Sequence, residues 1–427
     1  MTLLLLTQGL SVTLAVIALV NTGWVWYLTS LLRQPRRIGP PESCEKAAIL
    51  LCLRGADPML SSCLKRLMSQ DHPDFEVLVA IDSPSDPAWP IVQDAIEKFG
   101  NQRLHAWSLS QRRKTCGLKN SSLVELYDRV DPSVGVIVLA DADLQSHATW
   151  LRELVAPLAD PSVGVTFGNR WFLPSEPTFG SMIRQVWNAP GLIVMSAFKI
   201  PWAGSMAIRR SLFDSGEIRD KWCHSIVDDG PVRVAAKAQN RKMQFVPSLI
   251  MANREVCDIP FAFNFIRRQL TWTRTYVNGL WPLMMTYHFV ALVANVAVFV
   301  TALIGWQVDN TSVVVISLLA AAISVTMANI HAALIDTAAR KVIRSQGEST
   351  PQNESQDTLG MRGLIVLPTI VGLANLLGLI ASFYATFARQ IVWRGVTYEI
   401  RGPWQVRLLS ETSPQSAKPT ETCNESL

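Results

Sequence analysis

Charged side chains disappear from four stretches of this chain. Residues 1–32, 275–308, 310–335 and 363–388 contain no Asp, Glu, Lys or Arg and are rich in Leu, Val, Ile, Ala and aromatic residues. At 1.5 Å of rise per residue, each is long enough for a helix crossing ~30 Å of hydrocarbon. Between the first two runs the pattern changes. Residues 47–53, 75–81 and 104–108 read as short strands, 134–140 as a strand buried on both faces, and 163–169 and 203–208 as further strands. Segments 58–69, 87–99, 118–129 and 229–238 carry helical patterns, the first with Pro58 in its opening turn. Strands alternating with helices predict an α/β domain with a mostly parallel sheet, which binds ligands beyond the carboxyl ends of its strands.

Composition sharpens this division. The chain is 49% hydrophobic and 17% charged, yet about 23% of residues 33–274 are charged, the density of an ordinary soluble domain. The pattern excludes a wholly soluble enzyme and a disordered chain. A net charge of +5 is too small for a strongly basic nucleic-acid binder, so no nucleic-acid partner is expected. The seven cysteines are dispersed with no CxxC pair, which fits a reducing compartment, and the six histidines show no zinc-site spacing.

Arg33, Arg36 and Arg37 follow the first apolar run and nothing basic precedes it. The positive-inside rule then places the N-terminus outside and the globular domain in the cytosol. The turn 307–310 lacks Lys and Arg and suits the outside, whereas Arg340, Lys341, Arg344 and Arg362 suit the inside. A spanning fourth run would send Arg389, Arg394, Arg401 and Arg407 outside, against the rule. Pro368, Gly372 and Gly378 permit a re-entrant or interfacial course instead, giving three or four spans. The resulting division is a transmembrane helix at 1–32, a cytosolic domain at 33–257, an amphipathic interfacial segment at 258–282, a membrane region at 283–402 and a flexible tail at 403–427. Such a multi-pass protein belongs in the inner membrane of a bacterium or the Golgi membrane of a eukaryote. Asn295, Asn329, His331 and Asn375, inside the apolar runs, read as hydrogen-bonding glue between helices.

Acidic residues gather where the sheet should bind ligands. Asp82 closes the second strand and Asp86 follows in the loop; Asp141 and Asp143 close the strand at 134–140. An Asp-x-Asp at a buried strand's end can hold a hard divalent cation, Mg2+ or Mn2+, although Asp also serves in turns and caps. Asp228-Asp229 precedes a helix, where either can cap it while remaining exposed. Residues 258–279 interleave Phe261, Phe263, Phe265, Leu270, Trp272 and Tyr276 with Arg267, Arg268 and Arg274. That mixture suits interfacial anchoring, or the holding of a diphosphate.

Together these residues resemble the membrane-bound inverting glycosyltransferases of the ceramide glucosyltransferase type, from the first apolar run to about residue 402. Arg54-Gly55-Ala56-Asp57-Pro58 is similar to the family's Lys-Gly-x-Asp-Pro loop, and Glu76-Val77-Leu78-Val79 with Ser85-Asp86-Pro87-Ala88 to its first-aspartate region. Lys119, Asn120 and Leu123 resemble its Lys-x-Asn-Asn-Leu stretch, Asp141 its second aspartate and Asp229 its third. Arg268-Gln269-Leu270-Thr271-Trp272 resembles the (Gln/Arg)-x-x-Arg-Trp signature with Thr271 in place of its arginine, and Trp393-Arg394 through Tyr398 the Trp-Arg-x-x-x-Tyr segment. Arg267 and Arg274 are candidates to supply the missing charge.

The resemblance implies a nucleotide-diphospho-sugar transferase (A-type) fold and transfer of a hexose, with UDP-glucose as the expected donor, to a ceramide-like lipid hydroxyl with inversion. It implies Asp229 as general base and a divalent metal on Asp141 and Asp143. It also implies donor contacts from Asp82 or Asp86, from Lys119 and Asp141, and from Arg268 and Trp272. The competing readings are a processive polysaccharide synthase, a polyprenyl-phosphate sugar transferase and a non-catalytic membrane scaffold or transporter.

Overall fold

The computed structural model describes residues 2–40, 44–347 and 361–411. The first apolar run is one helix, α1 (Thr2–Leu32). The apolar runs after it become strands of a single sheet: β1 (Ala47–Leu53), β2 (Phe75–Ile81), β3 (Leu104–Ser108), β4 (Val136–Ala140), β5 (Val163–Phe172), β6 (Ser205–Arg209) and β7 (Lys242–Asn253). Between them run α2 (Leu60–Met68), α3 (Ala88–Phe99), α4 (Leu118–Tyr127), α5 (Trp150–Val155), α6 (Phe179–Ala197), α7 (Glu217–Trp222) and α8 (Asp229–Ala238). The strand order is β3-β2-β1-β4-β6-β5-β7, parallel except where β6 runs against β4 and β5. Alternate side chains of β1 enter opposite cores: Ala48, Leu50 and Cys52 on one face, Ala47, Ile49, Leu51 and Leu53 on the other. Both faces are covered, and this is why β1 reads as an unbroken apolar run.

Several boundaries differ from the sequence pattern. The strand expected at 134–140 starts at Val136, because Val134 N donates to Asp131 O in a turn. The helix expected at 58–69 starts at Leu60, after Asp57 accepts from Met59 N at 2.8 Å. The pattern missed α5, α6, α7 and β7 altogether. Helix α6 carries Pro190 in its interior, and β7 mixes Lys242, Gln244, Pro247 and Ser248 into its run. The register of β5 on β7 shifts at Gly168, where an added Cβ would lie 2.4 Å from Leu249 O.

The second half continues with α9 (Ile259–Tyr276), α10 (Trp281–Gln307), α11 (Thr311–Ser345), α12 (Met361–Phe387) and a separate antiparallel sheet of β8 (Gln390–Trp393), β9 (Val396–Gly402) and β10 (Gln405–Glu411). Helices α1, α10, α11 and α12 are long and apolar enough to cross a membrane. The first three pack on one another, whereas α12 packs mainly on α6 and α9. Polar side chains join the bundle: Thr22 Oγ1 lies 2.9 Å from His331 Nε2, and Ser324 Oγ donates to Asn295 Oδ1 at 3.3 Å. Residues 405–411, expected in a flexible tail, form β10 instead. Residues 390–402, expected in the membrane region, form β8 and β9. The pattern there has period two, with Val396, Tyr398 and Ile400 buried against Leu118, Ile226 and Val227 of the first domain.

The bundle is fastened to the domain. Val25, Leu28 and Leu32 of α1 and Ile335, Ala339, Val342 and Ile343 of α11 enter one of the two cores. Asp336 of α11 accepts from Trp171 Nε1 at 2.9 Å, Gln185 Nε2 at 2.8 Å and Arg340 Nε at 2.7 Å. In Asp336→Ala two buried donors lose their acceptor, each at ~1–3 kcal/mol. A thermal unfolding midpoint several degrees below wild type is the expected result, and an unchanged midpoint would remove this joint from the account.

Candidate active site

The site is built where β1, β2 and β4 end. Strand β1 runs into Arg54-Gly55, and Gly55 takes a φ of +80°, which lets the chain turn across the sheet's rim. Asp86 accepts from Gly55 N at 3.0 Å and from Ala88 N at 2.8 Å, so it ties this turn to the start of α3. Asp82, one residue beyond β2, accepts from Arg54 Nη1 at 2.5 Å and Arg112 Nη2 at 2.6 Å. Both arginines also pair with Glu411 of β10. Burial pushes the Asp82 carboxyl above its usual range against the pull of the two arginines, and its Oδ1 is buried without a partner among the described residues.

At the end of β4, Asp141 pairs with Lys119 Nζ at 2.5 Å, and the same ammonium reaches Asp228 at 2.8 Å. Burial works against that charge, but the two carboxylates hold the Lys119 pKa well above its ordinary value. Gly204 beside Asp141 admits no side chain: an added Cβ would lie 2.1 Å from the Trp202 ring and 2.5 Å from Asp141 Oδ2. Asp143 accepts from Asn253 Nδ2 at 2.8 Å. Burial first, then the neighbouring Asp141, push its pKa up to about 7. Two neighbouring carboxylates, Asp141 buried and Asp143 half-buried, that repel one another are a donor set a divalent cation fits. No group of three or more His, Cys, Asp and Glu able to hold a metal occurs among the described residues.

The loop before α8 is fixed from three sides. Asn120 Nδ2 donates to Ser225 O at 2.8 Å and Val227 O at 3.0 Å; the Tyr276 phenol of α9 accepts from Ile226 N at 3.1 Å; and the Leu118 amide donates to Tyr398 Oη of β9 at 3.2 Å. Asp228 occupies the N-cap position but makes no capping hydrogen bond, because its carboxylate pairs with Lys119. Asp229 opens α8 and is half-buried. Burial, and then the charge of Asp228, raise its pKa to about 8.

The structure therefore brings Lys119, Asp141, Asp228 and, next to it, Asp229 together, with Asp143 beside Asp141. Asp82 lies along the same rim, while Asp86 turns to the backbone. Arg268 stacks over Phe265 and Trp393, with guanidinium-to-ring distances of 5.9 and 6.0 Å, and Trp272 packs on the cluster joining α4 to the second sheet. Thr271, at the departure from the signature, is buried, and its hydroxyl donates to Arg267 O. Arg274 donates to Thr386 O and Ala388 O and so caps α12.

Sequence reasoning missed Arg170, Asn253, Arg112 and Glu411. Arg170 lies among the rings of Phe172, Trp202 and Phe265, each 5.2–5.4 Å from its guanidinium carbon, beside Asp143. An arginine inside the aromatic strand 163–172 was the available signal for it. Nothing local marks the other three.

The model of Glycosyl transferase family 21 matches residues 10–405. Two curated relatives are ceramide glucosyltransferases. That of Komagataella phaffii is 26% identical over 99 residues, covering 20% of this chain and 18% of the relative; that of Candida albicans is 37% identical over 60 residues, covering 14% and 11%. The chain thus matches less than a fifth of the length of either. Among solved structures it is similar to a mannosyltransferase from Pyrobaculum calidifontis in complex with GDP-Man and Mn2+, at 14% identity and a TM-score of 0.47, covering 88% of this chain and 99% of the other. Glucosyl-3-phosphoglycerate synthase from Mycobacterium tuberculosis, in complex with Mn2+, UDP-glucose and phosphoglyceric acid, is similar at 13% identity and a TM-score of 0.36, covering 56% and 79%.

Proposed function

The chain belongs to Glycosyl transferase family 21 and is a glycosyltransferase, and from this premise we propose that it moves a hexose from a nucleoside diphosphate sugar to a membrane lipid hydroxyl, with inversion. UDP-glucose is the donor and a ceramide-like lipid the acceptor in this reading. The observation that carries it is the cluster of Lys119, Asp141, Asp228 and Asp229 at the carboxyl-end rim of a domain fastened to apolar helices.

Each residue has a task. Asp82 Oδ1, buried with no protein partner among the described residues, accepts a nucleobase N–H. Asp141 and Asp143 would hold Mg2+ or Mn2+, which as a Lewis acid offsets the charge of the departing diphosphate. Lys119 and Arg170 add fixed positive charge on either side of that aspartate pair. Asp229 takes the proton of the lipid hydroxyl as its oxygen attacks the anomeric carbon from the face opposite the nucleoside diphosphate. The new glycosidic bond forms as the bond to the diphosphate breaks, which inverts the centre. Arg268 and Trp272 shape the joint between α9 and the second sheet at the edge of this site.

The same geometry favours three crossings rather than four. Sheet β8–β10 rests on the globular domain, so α12 ends on the domain's side. Helix α11 also ends there, because Arg36 Nη1 donates to Ser345 O at 2.8 Å and Gln346 Nε2 to Ser248 O at 2.6 Å. Helix α12 packs mainly on α6 and α9 rather than on the α1, α10 and α11 bundle, which supports a course along the interface, where a lipid head group waits. The arginines after it stay cytosolic, which reconciles them with the positive-inside rule. Cysteine labelling at position 409 should succeed only from the side that labels the globular domain; labelling from the opposite side would restore the fourth crossing.

A further inference from the structure

Arg389 and Arg401, two of the arginines that follow α12, line a cavity of about 610 Å3 to which none of Asp82, Lys119, Asp141, Asp143, Asp228 and Asp229 contributes. Arg274 and Asn278 close it from the end of α9, Arg389 from the exit of α12, and Glu399 and Arg401 from β9. Three guanidinium groups thus meet a single carboxylate, and that carboxylate is paired with Arg401 at 3.1 Å. Arg274 spends two donors on the last carbonyls of α12, while Arg389 is exposed and has no carboxylate partner among the described residues. Burial, and then the proximity of Arg389, depress the Arg274 pKa.

The depth of this cavity is also informative. Exposed Tyr384 and Phe387 lie in the last turn of α12, five and two residues before Arg389, and exposed Leu283 follows Asn278 by five residues at the start of α10. The cavity therefore opens where two lipid-facing apolar surfaces stop, at the level of phosphate head groups. A neutral glycosyl acceptor brings no counter-charge to three arginines, whereas a phosphodiester matches both their donors and their charge.

We propose that this cavity binds the phosphate group of an anionic membrane phospholipid, with its acyl chains lying along α12 and α10. A free phosphate shares the head-group chemistry but has no use for the apolar flanks. Occupancy would clamp the end of α9 to β9, and α9 carries Tyr276, which holds the loop of Asp228. The site thus lies where the anionic content of the bilayer can act on the positioning of the catalytic loop. Binding here does not depend on the glycosyl-transfer reading, and Asp229→Asn should leave it intact.

The test uses the full chain in phosphatidylcholine nanodiscs doped with a photoreactive phosphatidylglycerol, with labelling of chymotryptic peptides spanning 389–403 read by mass spectrometry. Wild type should label there, and unlabelled phosphatidylglycerol should compete while phosphatidylcholine does not. Arg389→Gln with Arg401→Gln should cut labelling about fivefold or more, and the paired Lys replacements should restore most of it. The thermal unfolding midpoint serves as the control for folding. Equal labelling of a folded Gln variant, or equal competition by phosphatidylcholine, would overturn the proposal. Displacement of the label by millimolar inorganic phosphate would show that the site reads a free anion, and would overturn the lipid assignment.

Discussion

Asp229→Asn should lower kcat about 10²–10⁴-fold while leaving donor affinity close to wild type. The carboxamide keeps the shape of the side chain and its place at the first turn of α8, but it cannot take a proton. Because burial and Asp228 raise the Asp229 pKa to about 8, the unprotonated form is scarce in the free enzyme below neutrality. A base must be unprotonated to work, so kcat/KM should climb as pH rises towards 8 and level off above it, since this parameter reports ionisations of the free enzyme. The Asp229→Asn variant should lack that climb. Initial rates of glycolipid formation between pH 5.5 and 9 check both halves. A wild-type rate in the variant would remove Asp229 as the base.

Asp141→Asn should have the second large effect. Asp141 sits between the Lys119 ammonium and the second member of its Asp-x-Asp pair, so the change halves the hard-anion donor set and strips Lys119 of one partner. Charge stabilisation worth ~4 kcal/mol corresponds to a loss of about 10³-fold in rate. Donor binding should also lose its dependence on divalent cation. Lys119 keeps its 2.8 Å contact with Asp228, so the fold should survive. Isothermal titration with UDP-glucose, with and without Mn2+, separates the outcomes. A variant that binds donor as tightly as wild type, and only with the cation present, would move the metal elsewhere.

How far the sequence reached depends on the range of the interaction involved. Strands β1, β2 and β3 were legible to the residue, because each is a bounded apolar run between turn-forming residues. The positions of Asp82, Asp141 and Asp143 at the rim were legible because each follows the end of an apolar strand run. What escaped depends on contacts remote in sequence. Glu411 meets Arg54 and Arg112 across about 300 to 357 positions, and no local pattern announces such a pair. Helix α6 was hidden by Pro190, and β7 by Pro247 and its polar positions. The second sheet was hidden because arginines after an apolar run mimic a membrane exit, and the alternation of Val396, Tyr398 and Ile400 spans only a few residues. Asp86, chosen from its place in the loop, turned out to hold backbone amides, a role Asp fills in turns as readily as ligand binding.

In the proposed reading, a nucleotide-sugar site at the rim of β1, β2 and β4 serves an acceptor lying in the membrane. The most direct measurement incubates membranes containing the full chain with a panel of radiolabelled nucleoside diphosphate sugars and identifies the labelled products by mass spectrometry. A single lipid carrying one hexose, formed from one donor and absent with Asp229→Asn, is the predicted result. A ladder of polymer lengths, or no labelled lipid with any donor, would contradict it.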